Sequence, residues 1–233
     1  MLAVIAFDAD DTLWHNETLY TDTQTRFKQL LSDYASIEWI EQKLYQTEMR
    51  NLQYFGYGIK GFTLSMIETA IELTGGRIQG AEIQKIIDFA KEMRDAGIQL
   101  FEHVEETVAR LSESYPLMLI TKGDLLDQEA KIARSGLANY FKYIEIVSDK
   151  TRASYAEILA RHGIEPQRFI MVGNSLRSDI LPVLELGGKA VYIPFHLTWA
   201  HETNVELGVG PNTYLELEHI GLLPALIDEL NHA

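Results

Sequence analysis

Three aspartates directly follow an apolar segment near the start of the chain. Residues 2–7 read Leu-Ala-Val-Ile-Ala-Phe, and Asp8, Asp10 and Asp11 come immediately afterwards. Side chains two residues apart on an extended chain point to the same side, roughly 7 Å apart, so Asp8 and Asp10 should face one site. Two carboxylates about 4 Å apart near a protein surface repel by about 4 kcal/mol, so the pair needs a cation, a shared proton or solvent. The alternative is that these acids only end the strand and begin a turn.

Polar side chains also follow three later apolar segments of strand length. They are Thr121 and Lys122 after residues 117–120, Lys150 after residues 143–147, and Asn174 after residues 169–172, with Asp179 five positions further on. The carboxyl ends of parallel strands meet at one edge of a sheet, where open α/β folds bind their ligands. A single lysine after a strand is usually solvated, but four strand ends in this order predict one shared site with Asp8.

The elements that position these residues follow from the hydrophobic pattern. The uninterrupted apolar run at residues 2–7 predicts a strand buried on both faces, as in a parallel sheet. From about residue 104 onward, short apolar segments alternate with helical patterns, the last of them over residues 179–186, which implies right-handed crossovers. The predicted fold class is therefore α/β, with a Rossmann-like parallel sheet and helices on both of its faces.

A long helical block separates the first strand from the second. Residues 17–97 carry apolar side chains at helical spacing, for example at Phe27, Leu30 and Leu31. We therefore predict an α/β catalytic core formed by residues 1–16 and 100–233, and an inserted all-helical cap formed by residues 17–99.

A glycine-rich segment lies inside this block. Gly56, Gly58 and Gly61 satisfy the spacing GxGxxG, but no hydrophobic strand precedes them, which argues against a dinucleotide site. We interpret the segment as a loop between a helix over roughly residues 37–52 and another over residues 63–73.

Composition restricts the classes of protein to consider. The 233 residues carry a formal net charge of −14 and contain no cysteine. The negative charge disfavours general nucleic-acid binding, and the lack of cysteine excludes disulfides and thiolate chemistry. The first apolar segment is too short for a membrane span and lacks a basic leader, so we expect a cytoplasmic protein without a membrane partner. The sequence permits a homodimer but does not specify one.

The motifs at the four strand ends resemble those of the haloacid dehalogenase superfamily of hydrolases. Asp8–Thr12 matches the first motif, DxDxT; Thr121 matches the Ser/Thr of the second motif, and Lys150 matches the lysine of the third. Gly173–Asp179 is similar to the fourth motif, usually GDxxxxD, although Asn174 stands where that family has an acidic metal ligand. The resemblance covers essentially the whole chain, including a helical cap between the first two motifs.

This resemblance implies a phosphatase of that superfamily, acting on a small phosphorylated metabolite through an aspartyl-phosphate intermediate. Asp8, whose ordinary pKa is about 3.9, would be the nucleophile without needing a base to activate it. Asp10 would be the general acid and base, and Lys150 would neutralise the charge that develops. Thr121 and the backbone N–H of Lys122 would bind the phosphate oxygens.

The resemblance also implies a Mg²⁺ cofactor. Its ligands would be Asp8, the main-chain carbonyl of Asp10, Asn174 and Asp179, which are all oxygen donors of the kind that Mg²⁺ prefers. Because a carboxamide oxygen carries no charge, Asn174 should weaken Mg²⁺ binding while still providing a ligand.

Several alternatives stay open at this point. A phosphomutase of the same superfamily is one alternative, and a dehalogenase is another, although the dehalogenase branch lacks the second aspartate present here as Asp10. A signalling receiver also combines an aspartate with Thr, Lys and Mg²⁺, but its phosphorylated aspartate follows a later strand and no helical insertion is expected. A catalytically silent phosphate-binding protein would keep the fold and lose turnover.

Overall fold

Six strands form one parallel sheet in the computed structural model, which describes residues 2–197, 199 and 214–232. The strands are β1 (Val4–Phe7), β2 (Leu117–Lys122), β3 (Phe141–Val147), β4 (Phe169–Gly173), β5 (Lys189–Tyr192) and β6 (Leu215–Glu216). Their order across the sheet is β3-β2-β1-β4-β5-β6, and every neighbouring pair is parallel. The predicted Rossmann-like α/β class with a helical insertion is confirmed.

The chain divides into two compact units. The α/β unit takes in the described residues up to Glu17, the segment Ile98–Lys122 and the described residues from Gln128 onward. The helical unit comprises Thr18–Gly97 together with the short segment Gly123–Asp127. The segment after β2 therefore groups with the helices, which the sequence did not predict.

Four helices account for most of the helical unit. They are α1 (Glu17–Leu30), α2 (Ile37–Phe55), α3 (Ile59–Leu73) and α4 (Gly80–Asp95). Buried apolar residues recur at helical spacing, as with Ile40 and Leu44 on α2 or Phe62 and Met66 on α3. The helices therefore share one apolar core of their own.

The glycine-rich segment is more helical than predicted. Helix α2 continues through Phe55 and α3 begins at Ile59, so only three residues separate them. Gly56 and Gly58 have φ angles of 67° and 109°, which lie outside the right-handed helical region and so interrupt the helix. The glycines mark the break correctly, but the pattern underestimated both helices.

Helices cover both faces of the sheet. Along the chain they are α5 (Val104–Ser112), α6 (Leu125–Arg134), α7 (Arg152–His162), α8 (Leu181–Leu184) and α9 (Leu223–His232). Side chains of α5, α6 and α9 share one apolar cluster with the sheet, and those of α7 and α8 share the other.

Strand β1 lies between β2 and β4 near the middle of the sheet. Ile5 pairs with Leu117 on one side and with Ile170 on the other. Ile5 belongs to the cluster on one face, and Val4 and Ala6 belong to the cluster on the opposite face. The uninterrupted apolar run is explained by this burial on both faces.

The fourth strand is followed by a different element from the one expected. The pattern predicted a helix over residues 179–186, whereas the chain forms a π-helical turn at Leu176–Ile180 and then the four-residue α8. Strand β6 and helix α9 were not predicted. No helix in the described part of the chain is long and apolar enough to cross a membrane.

Candidate active site

Four parallel strands end at the edge of the sheet where the predicted site residues lie. Asp8 follows β1 directly, and Thr121 and Lys122 are the last residues of β2. Asn174 directly follows β4, and Lys150 lies three residues after the end of β3. Because the strands are parallel, these residues lie at the same edge of the sheet although they are far apart in sequence.

Asp8, Lys150 and Asp179 form a buried charged cluster. The ammonium group of Lys150 donates to Asp8 Oδ1 at 2.5 Å and to Asp179 Oδ1 at 2.7 Å. All three side chains are buried, with Lys150 only 4% exposed. Two carboxylates and one ammonium leave a formal charge of −1 away from bulk water.

The other oxygen of Asp8 is bound locally. Thr12 Oγ1 lies 2.9 Å from Asp8 Oδ2 and 3.3 Å from Asn174 Oδ1. One hydroxyl hydrogen can be donated to only one of these acceptors at a time. The Asn174 amide oxygen thus lies beside Asp8, at the position where the sequence predicted an oxygen ligand.

Close backbone packing shapes the loop after β4. A Cβ atom on Gly173 would lie 2.3 Å from Asp179 Oδ2, so a larger residue would displace that carboxylate. The backbone N–H of Ser175 donates to the same oxygen at 3.0 Å. Gly173 and the turn after it therefore fix the carboxylate of Asp179.

Asp10 faces a different set of partners. Trp14 Nε1 donates to its Oδ1 at 2.7 Å, and Gln128 Nε2 donates to its Oδ2 at 2.8 Å. Lys131 Nζ contacts both oxygens, at 3.1 and 3.0 Å, and also donates to Asn16 Oδ1 at 2.7 Å. The Asp10 carboxylate is therefore held by side chains of α6 and of the loop after β1.

Asp11 has a structural function. Its φ angle of 62° places it in the left-handed region, which Asp tolerates better than most residues. Its carboxylate accepts from the backbone N–H groups of Asn16 and Glu17 at the start of α1. It thus satisfies donors that the first turn of a helix leaves without partners.

Thr121 and Lys122 end the second strand in contrasting surroundings. The hydroxyl of Thr121 is buried and has no hydrogen-bond partner among the described residues. Lys122 Nζ donates to Ser178 Oγ at 2.9 Å, within the turn after β4. A buried hydroxyl without a partner is costly, so Thr121 is suited to bind a polar ligand group.

The electrostatic environment differs between the two aspartates. Burial raises the pKa of Asp8, although Lys150 acts in the opposite direction. Burial alone would also raise the pKa of Asp10, but Lys131 and Gln128 outweigh it and hold that pKa below its ordinary value. Burial alone would lower the pKa of Lys150, but the carboxylates of Asp179 and Asp8 outweigh it and raise that pKa, so the side chain is charged.

The donor set beside Asp8 fits a hard divalent cation. It offers the carboxylates of Asp8 and Asp179 and the amide oxygen of Asn174, which are the oxygen ligands that Mg²⁺ takes. Among the described residues there is no group of three or more His, Cys, Asp or Glu arranged to hold a metal. Any Mg²⁺ would therefore depend on an amide and on backbone or ligand oxygens besides the two carboxylates.

Sequence reasoning missed the residues around Asp10. Gln128 and Lys131 are almost completely buried although both are polar, and they are three positions apart on α6, hence on one face of the helix. Polar residues three apart are common on exposed helix surfaces, so the spacing alone carries no functional signal. Trp14 could have been noticed as an aromatic donor four residues after Asp10.

The sequence matches a known protein family. A family model described as haloacid dehalogenase-like hydrolase matches residues 2–187. The chain belongs to this family. A haloacid dehalogenase-like family hydrolase from Xanthomonas campestris is similar over 99% of this chain and 92% of its own, with 39% identity and a TM-score of 0.87.

Two curated relatives of the haloacid dehalogenase-like chain are phosphatases. Glyceraldehyde 3-phosphate phosphatase from Methanothermobacter thermautotrophicus is 32% identical over 41% of this chain and 44% of its own length. N-acylneuraminate-9-phosphatase from Rattus norvegicus is 27% identical over 70% of this chain and 66% of its own. The matches thus span less than two thirds of either relative.

Structural similarity also extends to a dehalogenase. The 2-haloacid dehalogenase from Pseudomonas syringae pv. Tomato has a TM-score of 0.67 and covers 99% of this chain at 19% identity. At that identity the likeness concerns the fold alone. The reaction of this haloacid dehalogenase-like hydrolase must be argued from its own residues.

Proposed function

We propose that this protein is a Mg²⁺-dependent phosphomonoester hydrolase that acts on a small phosphorylated metabolite through an aspartyl-phosphate on Asp8. The observation that carries the proposal is the presence of a second aspartate, Asp10, two residues after the nucleophile. A dehalogenase of this family needs only the first aspartate. A phosphatase needs a second group to supply and remove protons, and Asp10 is available for that work.

The first step forms one bond and breaks another at phosphorus. Asp8 Oδ attacks the phosphoryl group, its new bond to phosphorus forms, and the bond from phosphorus to the ester oxygen breaks. Asp10 must be protonated for this step. In that form it readily gives its proton to the departing oxygen, because Lys131 and Gln128 favour the carboxylate that remains, and the product leaves as a neutral alcohol. Since Asp8 accepts hydrogen bonds from Lys150 and Thr12, its orientation is restricted before substrate binds.

The second step returns Asp8 to its free form. Asp10, now ionised, takes a proton from water as the water oxygen bonds to phosphorus. The bond from phosphorus to the Asp8 oxygen breaks, so inorganic phosphate leaves and Asp8 is a carboxylate again. Lys150 stabilises negative charge on Asp8 throughout, because its ammonium group contacts that carboxylate. Electrostatic stabilisation of this kind is the main contribution of proteins to phosphoryl transfer.

The transferred group would be bound by the end of β2. The buried hydroxyl of Thr121, which has no hydrogen-bond partner among the described residues, and the backbone N–H of Lys122 would hold phosphate oxygens. Asp8, the main-chain carbonyl of Asp10, Asn174 and Asp179 would hold Mg²⁺. When bound, Mg²⁺ supplies positive charge that offsets the phosphate and the two carboxylates.

The two phosphatase relatives support a small phosphate ester as the substrate class. No nucleic-acid partner is proposed, because the net charge is −14. A cytoplasmic location and a homodimer stay predictions of the sequence.

Turnover of p-nitrophenyl phosphate tests this proposal. We expect phosphate release in the presence of Mg²⁺ and its loss on adding EDTA, with recovery when Mg²⁺ is restored. A parallel assay for chloride release from 2-chloropropionate should be negative. Chloride release without phosphate release would overturn the proposal in favour of a dehalogenase. If phosphate is released instead, a panel of phosphorylated metabolites would identify the substrate.

A further inference from the structure

The side chains around Asp10 form a second polar cluster that the proposed steps do not use. Four hydrogen bonds reach its carboxylate, from Trp14, Gln128 and Lys131. Both oxygens are bound, Oδ1 by Trp14 and Lys131, and Oδ2 by Gln128 and Lys131. The side chain of Asp10 therefore has one preferred orientation.

These donors come from two parts of the chain within the α/β unit. Trp14 lies in the loop after β1 and is fully buried, so its indole N–H is fixed by packing. Gln128 and Lys131 lie on α6, which follows β2, and their side chains are 2% and 6% exposed. Partners locked by packing of this kind can hold a reacting group within the narrow range that catalysis requires.

Gln128 also connects Asp10 to the end of the second strand. Its Nε2 donates to Asp10 Oδ2 at 2.8 Å and to the main-chain carbonyl of Lys122 at 3.1 Å. Its Oε1 is buried and has no hydrogen-bond partner in the part of the chain that the structure describes. A buried glutamine that only stabilises the fold would normally have hydrogen-bond partners for both its amide oxygen and its amide nitrogen. Gln128 therefore lowers stability at its oxygen while its nitrogen holds Asp10 in place.

The ammonium group of Lys131 binds two different side chains. Its ammonium group contacts the two oxygens of Asp10 and also donates to Asn16 Oδ1 at 2.7 Å. Burying a lysine is costly, and an apolar residue of similar size would stabilise the helix packing at least as well. A buried lysine at this place is accounted for by the carboxylate it holds.

We infer that Gln128 and Lys131 are positioning residues, which orient the Asp10 carboxylate for proton transfer to the leaving group. This inference rests on the proposed phosphatase function. It concerns a role that acts through Asp10, since neither side chain is assigned to the phosphate or to Mg²⁺.

Leaving-group dependence separates this role from a merely structural one. p-Nitrophenolate departs without a proton, whereas the alkoxide from benzyl phosphate needs one, and the two esters are of similar size. kcat/KM reports the steps up to departure of the alcohol, so it isolates the proton transfer that Asp10 performs. General acid catalysis contributes about 10²- to 10⁴-fold, and misplacing the acid should remove part of that.

The experiment measures kcat/KM for both esters with Mg²⁺ present, using Lys131→Met, Gln128→Leu and Asp10→Asn. We expect each substitution at Gln128 or Lys131 to lower kcat/KM for benzyl phosphate about tenfold more than for p-nitrophenyl phosphate, and Asp10→Asn to show the largest difference. The double variant Asp10→Asn, Lys131→Met should lose no more on benzyl phosphate than Asp10→Asn alone, because both changes disable one function.

Arg134→Met is the matched control, since it removes an exposed cation one turn further along α6. Its ratio between the two esters should equal that of the wild type. If Lys131→Met does not fold, as judged by circular dichroism, Gln128→Leu decides the question. Equal losses on both esters in folded variants, or full additivity in the double variant, would overturn the inference, whereas a wild type inactive on both esters would overturn the phosphatase proposal itself.

Discussion

The carboxylates of Asp8 and Asp179 share a single cation, the ammonium group of Lys150, which lies 2.5 Å from one and 2.7 Å from the other. Removing one partner of a buried ion pair typically costs about 3–5 kcal/mol, because the remaining charge stays buried. Here the loss of Lys150 would leave two carboxylates facing each other, with no cation between them.

Lys150→Met should therefore lower the melting temperature and increase the response of the protein to Mg²⁺. We expect Mg²⁺ to raise the Tm of the variant by more than that of the wild type, because a bound cation would offset both carboxylates. Thermal unfolding with and without Mg²⁺ measures this. The double variant Lys150→Met, Asp179→Asn is the control, and Mg²⁺ should raise its Tm no more than that of the wild type. Equal Tm increases in all three proteins would contradict the expectation.

Substitutions of Asp8 and Asp10 in the first motif should impair different steps of the reaction. Asp8→Asn should abolish hydrolysis of p-nitrophenyl phosphate and any covalent phosphorylation, because an amide is not a nucleophile. Asp10→Asn should still transfer the phosphoryl group to Asp8 from this activated ester and should then accumulate the phosphoenzyme. Intact-protein mass spectrometry after rapid quenching distinguishes them. Wild-type turnover by Asp8→Asn would show that the nucleophile has been wrongly assigned.

Asn174→Asp should lower the Mg²⁺ concentration needed for half-maximal activity. The added carboxylate would supply the charge that the amide lacks. It would lie beside Asp8, since the hydroxyl of Thr12 contacts both Asp8 and residue 174. Titrating Mg²⁺ at saturating substrate measures this, with Asp179→Ala expected to change the requirement in the opposite direction. A variant that needed more Mg²⁺ than the wild type would mean that Asn174 is not a ligand.

A glutamate in the helical unit should make stability depend on pH. Burial raises the pKa of Glu48, on α2, to about 8. The folded state then binds a proton that the unfolded state has released, so the free energy of unfolding should fall by a few kcal/mol as pH rises from about 5 to about 8. Urea denaturation across that range should show that the free energy of unfolding depends less on pH for Glu48→Gln than for the wild type. Glu38→Gln, an exposed position on the same helix, should behave like the wild type.

The strands and their polar ends could be predicted because their causes are local. A strand buried on both faces needs an uninterrupted apolar run, and β1, β2 and β4 each have one. Their carboxyl ends then bring together Asp8, Thr121 and Asn174 without further information. The fold class and the grouping of these residues thus follow from pattern and topology.

The partners of Asp10 could not be predicted, because they depend on how a helix is rotated against the sheet. Gln128 and Lys131 contact Asp10 only because α6 turns that face inward. The π-helical turn at Leu176–Ile180 is a further example, since Asp179 within it packs closely against Gly173. Contacts of this kind arise from tertiary packing, which hydrophobic periodicity does not encode.

The position of β1 between β2 and β4 has a consequence for biosynthesis. Ile5 is translated before its partners Leu117 and Ile170, which follow only after the whole of segment 18–97. Contacts so distant in sequence are slow to form, because a long loop must close first. Until β4 is synthesised, one edge of β1, the strand that precedes Asp8, is unpaired and apolar, and such edges promote aggregation. A nascent chain stalled before residue 169 would therefore carry the complete first motif and still be a target for chaperones.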